Sequence, residues 1–108
     1  MTRLKVEPGV CGLTAVITAD SEDGMECAVS VESECGMIRK LFEGIGGSVN
    51  AYEVCMPRGE QERFAAALIR QYPTHAACPM VSALIKAVEA ECGLALKKDV
   101  SFTFLSES

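Results

Sequence analysis

The chain has 108 residues and a mass of 11.5 kDa, enough for a single domain over residues 1–108 and too little for two. Apolar residues make up 49% and charged residues 23%, a balance that supports a packed core and excludes disordered and fibrous chains. A net charge of −5 with no basic run longer than Lys97-Lys98 speaks against nucleic acid, and no apolar run approaches the roughly 18 residues of a membrane span.

Residues 3–7 read as a short strand, closed by the turn pair Pro8-Gly9. Residues 10–19 alternate, with Leu13, Ala15, Ile17 and Ala19 on one face and Thr14 and Thr18 on the other, which predicts a second strand. Asp20-Ser21-Glu22-Asp23-Gly24 is turn chemistry. Residues 26–34 alternate again, Cys27, Val29 and Val31 opposite Ser30, Glu32 and Glu34, so the pair predicts a β-hairpin with one buried face. With Glu22-Asp23-Gly24 as a three-residue loop and Gly24 left-handed, the two apolar faces coincide. In that register Ala15 faces Val31, Ile17 faces Val29, and Cys11 faces Cys35.

Residues 36–43 carry the stripe Met37, Ile38, Leu41 and Phe42 of a short helix, ended by Gly44, Gly46 and Gly47. Residues 48–59 fit loop, strand or helix equally. Residues 60–72 read as a helix, with Phe64, Leu68 and Tyr72 on one side and Pro73 as the stop. A longer helix is expected over 79–92, with Val81, Leu84, Ile85, Val88 and Cys92 as its core stripe. Pro79 suits its first position and Gly93 the residue past its end. Val100, Phe102 and Phe104 alternate with Ser101 and Thr103, which predicts a closing strand over 100–105. The order β-β-β-α-α-α-β predicts an α+β two-layer sandwich, an antiparallel sheet with helices on one face.

Six cysteines are the compositional anomaly. Residues 1–9 carry no hydrophobic signal segment, so a reducing, cytoplasmic setting is expected, with thiols free, metal-bound or reactive. Cys11 and Cys35 would lie side by side at the hairpin mouth, their β-carbons about 4.5–5.5 Å apart. Cys78 would stand at the N-cap of the long helix, where the dipole and free N–H groups favour a thiolate, with His75 just upstream. If that helix points its N-terminus at the hairpin mouth, Cys11, Cys35, Cys78 and His75 converge. Three thiolates and an imidazole form a soft donor set for zinc or an iron–sulfur cluster. Cys27 and Cys92 fall on core faces and are expected to be packing residues, while Cys55 fits either role. Gly44-Ile45-Gly46-Gly47 does not join a strand to a helix start as a phosphate cradle does. Asp20, Glu22 and Asp23 lack the ligand spacing of a calcium loop.

The Cys11-Gly12 pair opening the hairpin, Cys35-Gly36 between strand and helix, and the His75 loop ending in Cys78 resemble the IscU/NifU-type iron–sulfur scaffold over residues 10–93. That resemblance implies a cluster held by three cysteines and passed to acceptor proteins. The chain has Leu13 where that family carries aspartate, Ala76-Ala77 between histidine and cysteine, and Tyr72-Pro73-Thr74 in place of the Pro-Pro chaperone-recognition stretch. Val10-Cys11-Gly12-Leu13-Thr14, Ala76-Ala77-Cys78-Pro79 and Leu94-Ala95-Leu96 together are also similar to a small uncharacterised family of anaerobic archaea and bacteria, a domain of unknown function.

The leading expectation is a cytosolic thiol- and metal-binding module, an iron–sulfur or sulfur-handling scaffold with Cys11, Cys35, Cys78 and His75 as ligands. The alternative is a small interaction protein, a homo-oligomer or the partner of another protein, with structural cysteines and no catalysis. A thiol enzyme using Cys78 as nucleophile is a third reading.

Overall fold

Short alternating segments build the sheet, and the computed structural model describes residues 1–56 and 63–106 of the chain. Strands β1 (Thr2–Val6), β2 (Ala15–Asp20), β3 (Glu26–Ser33) and β4 (Ser48–Asn50) lie in the order β1-β2-β3-β4, each antiparallel to its neighbour. Thr2, Leu4 and Val6 pair with Ala19, Ile17 and Ala15, so they share one face of the sheet. That face continues through Cys27, Val29 and Val31 and is buried, whereas Arg3, Lys5, Ala28, Ser30 and Glu32 look out to solvent.

The hairpin register differs from the expected one by two residues, with Ile17 opposite Val31 and Ala19 opposite Val29. A shift of two preserves both faces, which is why the alternation could not detect it. The turn is wider because side chains close it. Ser21 Oγ accepts the Gly24 N–H at 2.9 Å and donates to the Glu26 carbonyl at 2.7 Å. Asp23 Oδ1 accepts the N–H groups of Met25 and Glu26 at 2.9 and 3.0 Å. Gly24 does take the left-handed conformation, at φ 76°. β3 then turns its first residues to β4, pairing Cys27 with Val49.

Four helices cover the buried face: α1 (Gly36–Ile45), α2 (Ala51–Cys55), α3 (Phe64–Gln71) and α4 (Met80–Glu91). α4 packs across β1 and β2, α1 against β3, and α2 and α3 against α4. Ile17, Ile38, Leu41, Met80, Leu84 and Val88 are fully buried where these layers meet. The ambiguous stretch after residue 47 resolves as β4 followed by α2, whose N-cap Asn50 accepts the N–H groups of Tyr52 and Glu53 at 3.0 and 3.1 Å. A β-carbon at Gly44 would fall within the Tyr72 ring, so glycine there lets the end of α3 approach α1. The expected start of the third helix, residues 60–62, lies outside the described residues.

The closing strand expected over 100–105 is not formed. Residues 96–106 have no regular structure and pair with no strand, and Val100, Phe102 and Phe104 are 58%, 90% and 104% exposed. α1 and α4 already close the core, and the arm stands off it. The result is an α+β fold with a four-stranded antiparallel sheet under helices. No described helix is long and apolar enough to cross a membrane.

Candidate functional site

The four residues expected to share a metal each sit in a different local setting. Cys11 is exposed in a turn closed by the Gly12 N–H on the Gly9 carbonyl, at 2.9 Å, because β2 begins only at Ala15. It therefore has no strand register with Cys35. Cys35 is the N-cap residue of α1 and half-buried, packed on the core, with its N–H on Ser33 Oγ at 3.1 Å. Cys78 does not occupy the N-cap of α4; Pro79 does, and the Cys78 N–H donates to the His75 carbonyl at 3.0 Å. His75 itself is exposed. A zinc or cluster site needs three or four donor atoms within about 2.0–2.3 Å of a common centre. Among the described residues, which include all four, no three His, Cys, Asp or Glu are so placed. The cleft at the hairpin mouth, about 370 Å³, is lined by Gly12, Thr14, Glu32, Ser33 and Glu34 and by none of the thiols.

The structure gathers a different group of thiols. Cys27 on β3 meets Cys92, the C-cap residue of α4, and Cys55 at the end of α2 feels the same thiol. Burial, then the neighbouring Cys92, pushes the Cys27 thiol up to about 12. Burial, then Glu89, pushes Cys55 up to about 11, and its Sγ donates weakly to the Ile85 carbonyl at 3.9 Å. Burial keeps both protonated at neutral pH, as it does for thiols packed in a core. Periodicity placed Cys27 and Cys92 on core faces. Their meeting depends on how α4 crosses the sheet, which no local pattern encodes.

The most distinctive open feature lies along β3. β4 covers only Glu26–Ala28, while β3 runs on to Ser33. The Val29 N–H still finds the Gly47 carbonyl, at 3.0 Å, and backbone groups alternate sides along a strand. Val31 and Ser33 therefore present their N–H and C=O groups on the same side as Val29, beyond the end of β4, where none of the described strands meets them. Beside this edge runs a groove of about 470 Å³, walled by Val29, Val31, Phe42, Gly46 and Gly47 and rimmed by Arg39 and Glu43 of α1. Gly46, left-handed at the C-cap of α1, and Gly47 turn the chain from α1 into β4, and both line the groove. The outer strand β1 is a poorer edge because it carries Arg3 and Lys5, charges of the kind that blunt strand addition.

A family model described as a family of unknown function, DUF6951, matches residues 2–104. No curated protein and no solved structure matches the chain. The match agrees with the similarity to a small uncharacterised domain, and nothing in the comparisons supports the resemblance to the iron–sulfur scaffold.

Proposed function

The chain belongs to the DUF6951 family, whose function is unknown, and we propose that it works as a small non-catalytic interaction module that docks an extended polypeptide on the free edge of β3. The observation that carries this reading is the unpaired main chain at Val31 and Ser33 beside an apolar groove. An added strand would satisfy those groups, and its alternate side chains would settle on Val31 and Phe42. Unpaired edges of this kind are templates for strand addition unless the protein blunts them. The cysteines are structural on this reading, with Cys27 and Cys55 kept as neutral thiols by burial.

Titration with a six-residue peptide of alternating valine, phenylalanine and threonine tests the reading by amide resonances. Shifts are expected at Val31, Ser33, Arg39 and Phe42, and none from a peptide of the same composition interrupted by proline, which cannot donate to a ladder. Equal responses to both peptides, or none at these residues, would overturn it.

A further inference from the structure

We propose that the occupant of the β3 edge is the C-terminal arm, residues 96–106, of a second copy of the chain, laid antiparallel to β3; this rests on the strand-addition reading of the same edge. The arm carries a strand pattern with no strand to join. Val100, Phe102 and Phe104 fall on one side of an extended chain, Ser101 and Thr103 on the other, and both phenylalanines are at least 90% exposed. Large aromatic side chains left in water on a chain with a packed core mark a binding surface. The groove supplies matching apolar surface in Val31 and Phe42, on the face of β3 that is buried elsewhere along the sheet.

The length of edge left open fixes the direction. Lys97 and Lys98 precede the apolar part of the arm, and Glu32 and Glu34 lie at the far end of β3. With Phe102 beside Val31, an antiparallel arm sends the two lysines past Ser33 toward Glu34, whereas a parallel one lays them against Glu26–Ala28, where β4 is already paired.

Reach favours the arm of another copy. α4 ends at the hairpin tip, where the Cys92 carbonyl lies against Gly24, and the Ala95 N–H is still held by the Glu89 carbonyl at 3.2 Å. From Ala95 to Val100 the chain spans at most about 18 Å. The eight residues of β3 set Ser33 about 23 Å from the tip. An antiparallel arm of the same copy would have to run back along β3 at its full extension, so we assign the arm near Ser33 to another molecule. Two copies can exchange arms reciprocally, each filling the other's edge, which closes the assembly as a dimer.

Sedimentation equilibrium on the full chain, with the variant F102S/F104S beside it, tests the proposal. Neither phenylalanine contacts the core, so the variant should keep the wild-type circular dichroism. The full chain is expected to approach twice 11.5 kDa with rising concentration, and the variant to stay at the monomer mass. The charge reversal K97E/K98E should weaken the dimer several-fold at low salt and little at high salt. A synthetic peptide of residues 96–106 added to F102S/F104S should shift the amides of Val31 and Ser33. A dimer that survives F102S/F104S would overturn the arm as occupant. A monomeric full chain whose edge still takes the foreign alternating peptide would overturn the second copy and leave strand addition standing. A monomeric full chain whose edge takes neither peptide would overturn both.

Discussion

Cys27 and Cys92 touch where β3 passes under the end of α4, in surroundings that admit little water. The ordinary thiol value is 9.0, and the folded Cys27 stands near 12, so the fold holds the neutral form. The stability this contributes is complete below pH 9 and is lost as pH rises from 9 toward 12, because the unfolded chain ionises first. Cys55, near 11, adds to the same decline. Urea denaturation of wild type and Cys27→Ala across pH 8 to 10.5 should therefore give curves that converge as pH rises, the variant falling less steeply. Parallel curves would contradict the burial account. At this scale the sequence was informative where periodicity bears on a residue: Cys27 and Cys92 fall on core faces by their spacing alone. The expected gathering of Cys11, Cys35, Cys78 and His75 required two further things, a register and a helix direction, and the register moved by two residues when Ser21 and Asp23 widened the turn.

Glu91, in the last turn of α4, ties that helix to the sheet. Its Oε1 accepts the Thr2 hydroxyl at 2.8 Å and its Oε2 accepts the Ser21 N–H at 3.0 Å, joining the ends of β1 and β2 to one carboxylate. The Thr2 hydroxyl first, then the Ser21 N–H, hold the carboxyl below its usual range. Its contribution is therefore present at neutral pH and lost as pH falls through the acid range. Glu91→Ala should lower stability by about 1–3 kcal/mol at pH 7, since it strips the buried Thr2 hydroxyl of its partner. The loss should shrink toward pH 3, and a pH-independent difference between the two proteins would contradict this role. Elements with a wide apolar stripe, α1 and α4, were legible almost to their ends. β4 and α2 were not, because three and five residues are too few for a period to declare itself. Their only local signal was Asn50, whose side chain caps α2 through the Tyr52 and Glu53 N–H groups.

For the whole molecule, the clustering of strands ahead of helices was enough to indicate an α+β sandwich with one covered face, and the sheet under α1 and α4 has that form. The alternation in the last residues was equally plain, yet it describes a chain able to be a strand and says nothing of which edge receives it. A radius of gyration of 14.1 Å, above the about 13 Å of a compact domain this size, fits an arm that lies off the body. The β3 edge was invisible in the sequence for a related reason: it exists because β4 pairs only with Glu26–Ala28 while β3 runs on to Ser33.

Hydrogen exchange along β3, followed residue by residue on the full chain through a dilution series, reaches the central claim most directly. Val29, bonded to Gly47, should be protected at every concentration and serves as the internal standard. Val31 and Ser33 should exchange freely in dilute solution and become protected as concentration rises, as their edge is filled. Fast exchange at both residues, unchanged from the most dilute sample to the most concentrated, would contradict the account.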